Sequence, residues 1–189
     1  SVGNNQDIDL GNADYSDNEL KITIRSTIQH DFKVEHSGPQ KVLLEPQGGR
    51  DAIKGTGVTE AKLEGHSSFA LTASTPFGMY LECEHNRLGS CAIKNEASEE
   101  VVPVQVMVTL PQMREMHTGL PVTNMTLPMK MNHLPQFNIE PIQYNNATES
   151  SIKFTISEPD SRRILTNPGS TWKGTLTMVF DADLPFANP

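Results

Sequence analysis

No stretch of this chain approaches the ~18 consecutive apolar residues that a membrane-spanning helix requires. Basic clusters are as scarce. The formal charge is −8, and the densest basic points are only Arg162–Arg163 and Lys130. Phosphate backbones are bound by clustered Lys and Arg, so nucleic acid is excluded as a partner. Aromatic residues make up 6% of the sequence and cysteine occurs twice. Helical periodicity is nearly missing: PQMREMH and NEASEE are the best candidates, and both are short. No internal repeat and no linker divides the body. The opening residues, SVGNNQDIDLGNADYSDNE, are polar and acidic and hold no secretory signal, as a mature cleaved chain would also read.

What is present is alternation with a period of two. IKFTIS places Ile152, Phe154 and Ile156 on one face, and VVPVQVMVT does the same for Val102, Val104, Val106 and Val108. TWKGTLTMVFD aligns Trp172, Gly174, Leu176, Met178 and Phe180. SSFALTA and GMYLEC flank the turn signal STPFG, and KVLLEP is closed by Pro46 and Gly48–Gly49. Near the start, NELKITIRSTI puts Leu20, Ile22, Ile24 and Ile28 on one side and Lys21, Thr23, Arg25 and Thr27 on the other. Roughly eight or nine short strands separated by Gly, Pro and Asn clusters imply an all-β sandwich or barrel. With 189 residues, the chain has length for one domain with a real core.

The two cysteines, Cys83 and Cys91, stand in LECEHNRLGSC, where NRLGS reads as a turn. Strand ends joined by a short turn bring two sulfurs together, so the pair reads as a disulfide and implies an oxidising compartment. A structural zinc site wants four ligands, and only His85 is close by. GHSSF at 65–69 lacks the second glycine of a serine-hydrolase elbow, and no helix follows it. The acidic leader has Asn12 and Asn18 where a calcium loop starting at Asp7 needs Gly and Glu. Six of the eight methionines lie between 107 and 131, and MREMH and MTLPMKMNH each end in a histidine. Thioethers with imidazole suit Cu(I), so a periplasmic copper-binding sandwich using segment 107–133 is the alternative reading. Methionine also fills irregular gaps in cores.

The C-terminal PGSTWKGTLTMVFDADL resembles the last strand of chaperone–usher pilins, through Gly169, Trp172, Gly174, Leu176, Met178 and Phe180. NELKITIRSTI resembles the donor strand of the alpha-class branch of that family, the colonisation-factor and cable-pilus pilins. VVPVQVMV and, later, IKFTISEP fall in the order this branch shows. The alternation in 18–28 taken alone reads first as the opening strand of a self-contained sandwich; the resemblance turns it into a donated strand. The resemblance implies an immunoglobulin-like β-sandwich, incomplete and completed by an N-terminal strand from the next subunit. It divides the chain into a polar leader (1–17), a donor strand (18–30) and a pilin body (31–189). Leu20, Ile22, Ile24 and Ile28 become the inserted side chains, with Ser26 at a small-residue point. Trp172, Gly174, Leu176, Met178 and Phe180 form the C-terminal core strand. The implied protein is a structural subunit of a bacterial surface pilus supporting adhesion, not an enzyme, with no cofactor or metal. Its implied partners are identical or related pilins, a periplasmic chaperone, an outer-membrane usher and a possible host receptor. Its place is extracellular, in a fimbrium, after transit through the periplasm.

Overall fold

A computed structural model describes residues 31–38, 40–47, 62–130, 137–166 and 169–182. Its strands, in chain order, are β1 (Phe32–His36), β2 (Glu45–Pro46), β3 (Leu63–Ala73), β4 (Phe77–Cys83), β5 (His85–Arg87), β6 (Ser90–Asn95) and β7 (Val101–Pro103). There follow β8 (Gln105–Thr109), β9 (Met113–Glu115), β10 (Met125–Thr126), β11 (Phe137–Pro141), β12 (Asn145–Ile156), β13 (Trp172–Lys173) and β14 (Leu176–Asp181). One helix, α1 (Asp160–Leu165), sits between β12 and β13.

The first sheet has the order β1-β3-β12-β8-β10, with β2 also on β3. The second runs β14-β4-β11-β9, and a third, smaller one runs β13-β6-β5, with β7 also on β6. Every strand pairing is antiparallel, and none of the described sheets closes into a barrel. The architecture is an open, incomplete immunoglobulin-like sandwich.

Alternation places the core. Along β3 every second residue from Leu63 to Ala73 is buried, and β8 does the same with Val106 and Val108. From the second sheet Phe77, Met79, Leu81, Met113 and Ile139 face them, all at most 4% exposed. Four rings span the two sheets at one end. Phe32 lies 5.2 Å from Phe77 and 6.0 Å from Phe180, and Phe69 lies 5.7 Å from Phe180.

Two alternating runs that read as single strands are each broken. VVPVQVMVT passes from β7 on the third sheet to β8 on the first at Val104, whose N–H donates to the Cys91 carbonyl at 2.7 Å. TWKGTLTMVFD passes from β13 to β14 at Gly174–Thr175. A Cβ on Gly174 would sit 2.9 Å from the Ala92 carbonyl oxygen, so only glycine allows this approach. Thr175 leaves the ladder, yet its backbone is satisfied. Its N–H donates to the Glu84 carboxylate at 3.0 Å, and its carbonyl accepts from the Glu84 N–H at 2.9 Å. KVLLEP yields only the two residues of β2. Val42 and Leu44 climb instead over Gly65, where a Cβ would lie 2.6 Å from the Val42 side chain. MREMH, a helix candidate, contains β9, and NEASEE forms a turn. Among the described residues the helix present is α1, six residues starting after Pro159 with Asp160 in its first turn.

Cys83 and Cys91 are joined by a disulfide with Cα atoms 5.5 Å apart. The bridge ties the end of β4 to β6 beneath the β5–β6 hairpin. Leu88 (φ 50°) and Gly89 (φ 79°) make its tip, both in the left-handed region that tight hairpin turns use. Closing so small a loop constrains the unfolded chain by about 2–3 kcal/mol. Reduction is therefore expected to lower the melting temperature by roughly 5–10 °C with the fold retained. Equal melting with and without reductant in calorimetry would show that the bridge contributes nothing.

Candidate functional site

The sandwich has an open seam between the outer strand of the first sheet, β1, and the outer strand of the second, β14. Among the described residues β1 pairs only with β3, and β14 only with β4. Residues paired across a ladder point to the same face, so the register shows which side chains look inward. Val34 pairs with the fully buried Leu71, Met178 with Leu81 and Phe180 with Met79. All three belong to the core face, yet Val34 is 38% exposed, and Met178 and Phe180 are only partly buried. Among the described residues the core layer reaches the seam and is only partly covered there.

The two ends of the seam differ. At the Phe180 end, Phe32 reaches across and the four rings close the gap. At the Leu176 end a cleft of about 130 Å³ remains, lined by Val42, Leu44, Ile93, Phe154 and Leu176 among others. Trp172 packs partly buried against the core, its indole N–H donating to the Ser170 hydroxyl at 2.9 Å. Of the C-terminal residues, Trp172 stands in β13 on the third sheet, Leu176, Met178 and Phe180 stand in β14 on the second, and Gly174 lies at the crossing between them. Each is partly buried.

The far edge of the second sheet is treated differently. β9 is capped by its own loop, with Arg114 bridging to Pro121. Glu115, 7% exposed, shapes that loop. Its carboxylate accepts from the His117 N–H at 3.0 Å and from the Thr118 N–H and hydroxyl, both at 2.7 Å. Burial alone would raise the Glu115 pKa; the donors at His117 and Thr118 outweigh it and hold the group below its usual range. A carboxylate depressed in the folded state contributes stability that is present above its unfolded pKa and is lost as pH falls through the folded value. The stability difference between the parent and Glu115→Gln is therefore expected to be largest near neutrality and to shrink below about pH 4. Denaturant titrations of both proteins across that range check it; a constant difference would rule the carboxylate out as the cause.

The donor-strand positions Leu20, Ile22, Ile24, Ser26 and Ile28 lie outside the described residues, as do the leader and the Met131 and His133 of the methionine segment. Of the other methionines there, Met113 is 1% exposed and Met125 and Met129 pack against the core. His117 is exposed at the Glu115 loop. Among the described residues no three of His, Cys, Asp and Glu come together as a metal site. Sequence reading missed the role of segment 40–44 in walling the seam; the nearest signal was the glycine of GHSSF, which makes room for it.

No known family's sequence profile matches the chain. No curated protein matches its sequence either. Among solved structures, one from a chaperone–tip adhesin complex, described as vital for synergistic activation of CFA/I fimbriae biogenesis, contains a similar fold. The superposition has a TM-score of 0.52 at 11% identity and covers 80% of this chain and 41% of that one. The likeness is one of fold, and this chain spans less than half the length of the chain it matches.

Proposed function

We propose that this chain is a structural subunit of a bacterial surface pilus that polymerises by donor-strand exchange. The half-covered seam between β1 and β14 is the observation that carries the reading. An extended segment paired to the outer edge of β14 would complete the ladder and set every second side chain onto Val34, Leu176 and Met178. In β-strand addition of this kind, backbone hydrogen bonds supply affinity and alternate side chains enter the core. Residues 18–28 have the required pattern: Leu20, Ile22, Ile24 and Ile28 face one way, with Ser26 as the small position. Burying four aliphatic side chains contributes roughly 6–12 kcal/mol before ordering costs. The fold likeness to a chaperone–tip adhesin complex supports a place in the same kind of assembly. A periplasmic chaperone would cover the seam until an usher exchanges it for the next subunit, and the finished filament would lie outside the cell.

A truncation tests this. Residues 31–189 are purified alone, and a synthetic peptide of residues 18–30 is added. The body is expected to be unstable alone and to gain many degrees of melting temperature with the peptide. A body that is equally stable without the peptide and ignores it would refute the donor role.

A further inference from the structure

The strand registers sort the connections between the two ends of the sandwich. Phe32, the first residue of β1, and Asn145, the first of β12, both pair with Ala73. Ile139 of β11 pairs with Phe77, at the start of β4. The link from β11 to β12, residues 142–144, therefore lies at the end where β1 begins, two strand spacings or about 10 Å from Phe32. Leu176, the first residue of β14, pairs with Cys83 at the opposite end. Leu43 stands near that end, between Val42 and Leu44, which line the cleft there with Gly174 and Leu176.

Both ends carry apolar surface. Ile142 and Tyr144 are each 58% exposed, and Leu43 is 72% exposed. A single exposed apolar side chain is ordinary on any protein, but Ile142 and Tyr144 stand two residues apart in one link. Aromatic residues, tyrosine among them, are enriched where protein surfaces meet.

We infer that Ile142 and Tyr144 of one subunit pack against a second copy of the chain, at the Leu43 end of the subunit that receives its strand; the inference rests on the donor-strand reading. Every described strand pairing is antiparallel, and a donated strand antiparallel to β14 has Ile28 beside Leu176. A strand parallel to β14 would instead bring two like ends together and let two chains close on each other, whereas an open filament joins unlike ends. From Ile28 the donor chain has three residues before Phe32, a reach of at most about 14 Å. That reach draws the donor's β1 end, with Ile142 and Tyr144, onto the receiver's Leu43 end. The contact repeats from subunit to subunit and takes apolar surface out of water. It also fixes the angle between neighbours, which a short connector alone leaves free.

Hydroxyl-radical footprinting of the full chain tests this, comparing filaments of the parent with the unassembled Ile24→Asp chain. Modification of Ile142, Tyr144 and Leu43 is expected to fall several-fold on assembly. Leu120, 56% exposed at the far edge of the second sheet, is expected to keep its rate. A chain carrying Ile142→Ser and Tyr144→Ser should still form filaments, because its donor strand is untouched, and electron micrographs should show them several-fold more flexible in persistence length. Unchanged modification of Ile142 and Tyr144 in parent filaments would overturn the inference and leave the donor reading standing. Protection already complete in the Ile24→Asp chain would give the patch to the chain's own residues and overturn it as well, as would double-variant filaments as stiff as the parent's. Filaments from Ile24→Asp itself would remove the donor reading, and this inference with it.

Discussion

A chain carrying Ile24→Asp is expected to fold and to form no filaments. In the proposed assembly residue 24 sits at the middle of the inserted face, so the substitution removes one aliphatic side chain from the core and puts an unpaired carboxylate in its place. Lost burial is worth about 1.5–3 kcal/mol, and desolvating the charge costs more than that again. Together they weaken insertion by about 4 kcal/mol or more, a thousandfold in affinity. Thr23→Asp is the control, since position 23 faces the other way and its carboxylate would stay in water. Electron microscopy of assembled material and melting of the 31–189 body with each variant peptide read the same quantity independently. Filaments from Ile24→Asp, or equal effects of the two substitutions, would end the donor assignment.

Phe77→Ala is expected to cost 3–5 kcal/mol of folding stability, the range for removing a fully enclosed aromatic ring. Phe77 is 0% exposed and touches both Phe32, from the outer strand of the first sheet, and Phe180, from the outer strand of the second. Its loss leaves a cavity that neither sheet can fill alone, because the neighbours on each side are held by separate ladders. Phe180→Ala should cost clearly less, since that ring is only partly buried. Denaturant unfolding of the three proteins gives the comparison. A cost for Phe77→Ala below about 1 kcal/mol would mean that the ring cluster does not hold the two sheets together at that end.

The alternation of β3, β4, β12 and β14 was readable because each has one face on the core, and burial of one face is what a period of two records. The sheet changes at Val104 and at Gly174–Thr175 were not. Both halves of each run face the same core from different sheets, so the apolar pattern continues unbroken through the crossing. Nothing in the local residues tells which neighbour a strand pairs with. Helix α1 escaped for another reason: six residues are too few to show a 3.6-residue repeat. In KVLLEP the alternation is real, with Leu43 72% exposed between two inward residues. That segment lies on the core rather than in a ladder, because a glycine twenty residues later lets it climb over β3. The seam itself was foreshadowed only by resemblance, since an unfilled edge leaves no mark on the residues that border it.

The disulfide beneath the β5–β6 hairpin has a consequence for proteolysis. The tip residue Leu88 is 97% exposed, and exposed loop tips are where proteases cut. A cut after Leu88 falls between Cys83 and Cys91, so the two fragments stay covalently joined. The nicked protein would run as one chain on a non-reducing gel and as two on a reducing gel. The ladders of its three described sheets, none of which includes residues 88 and 89, would remain paired. A protein scored at that bond would thus keep its paired strands and its covalent continuity.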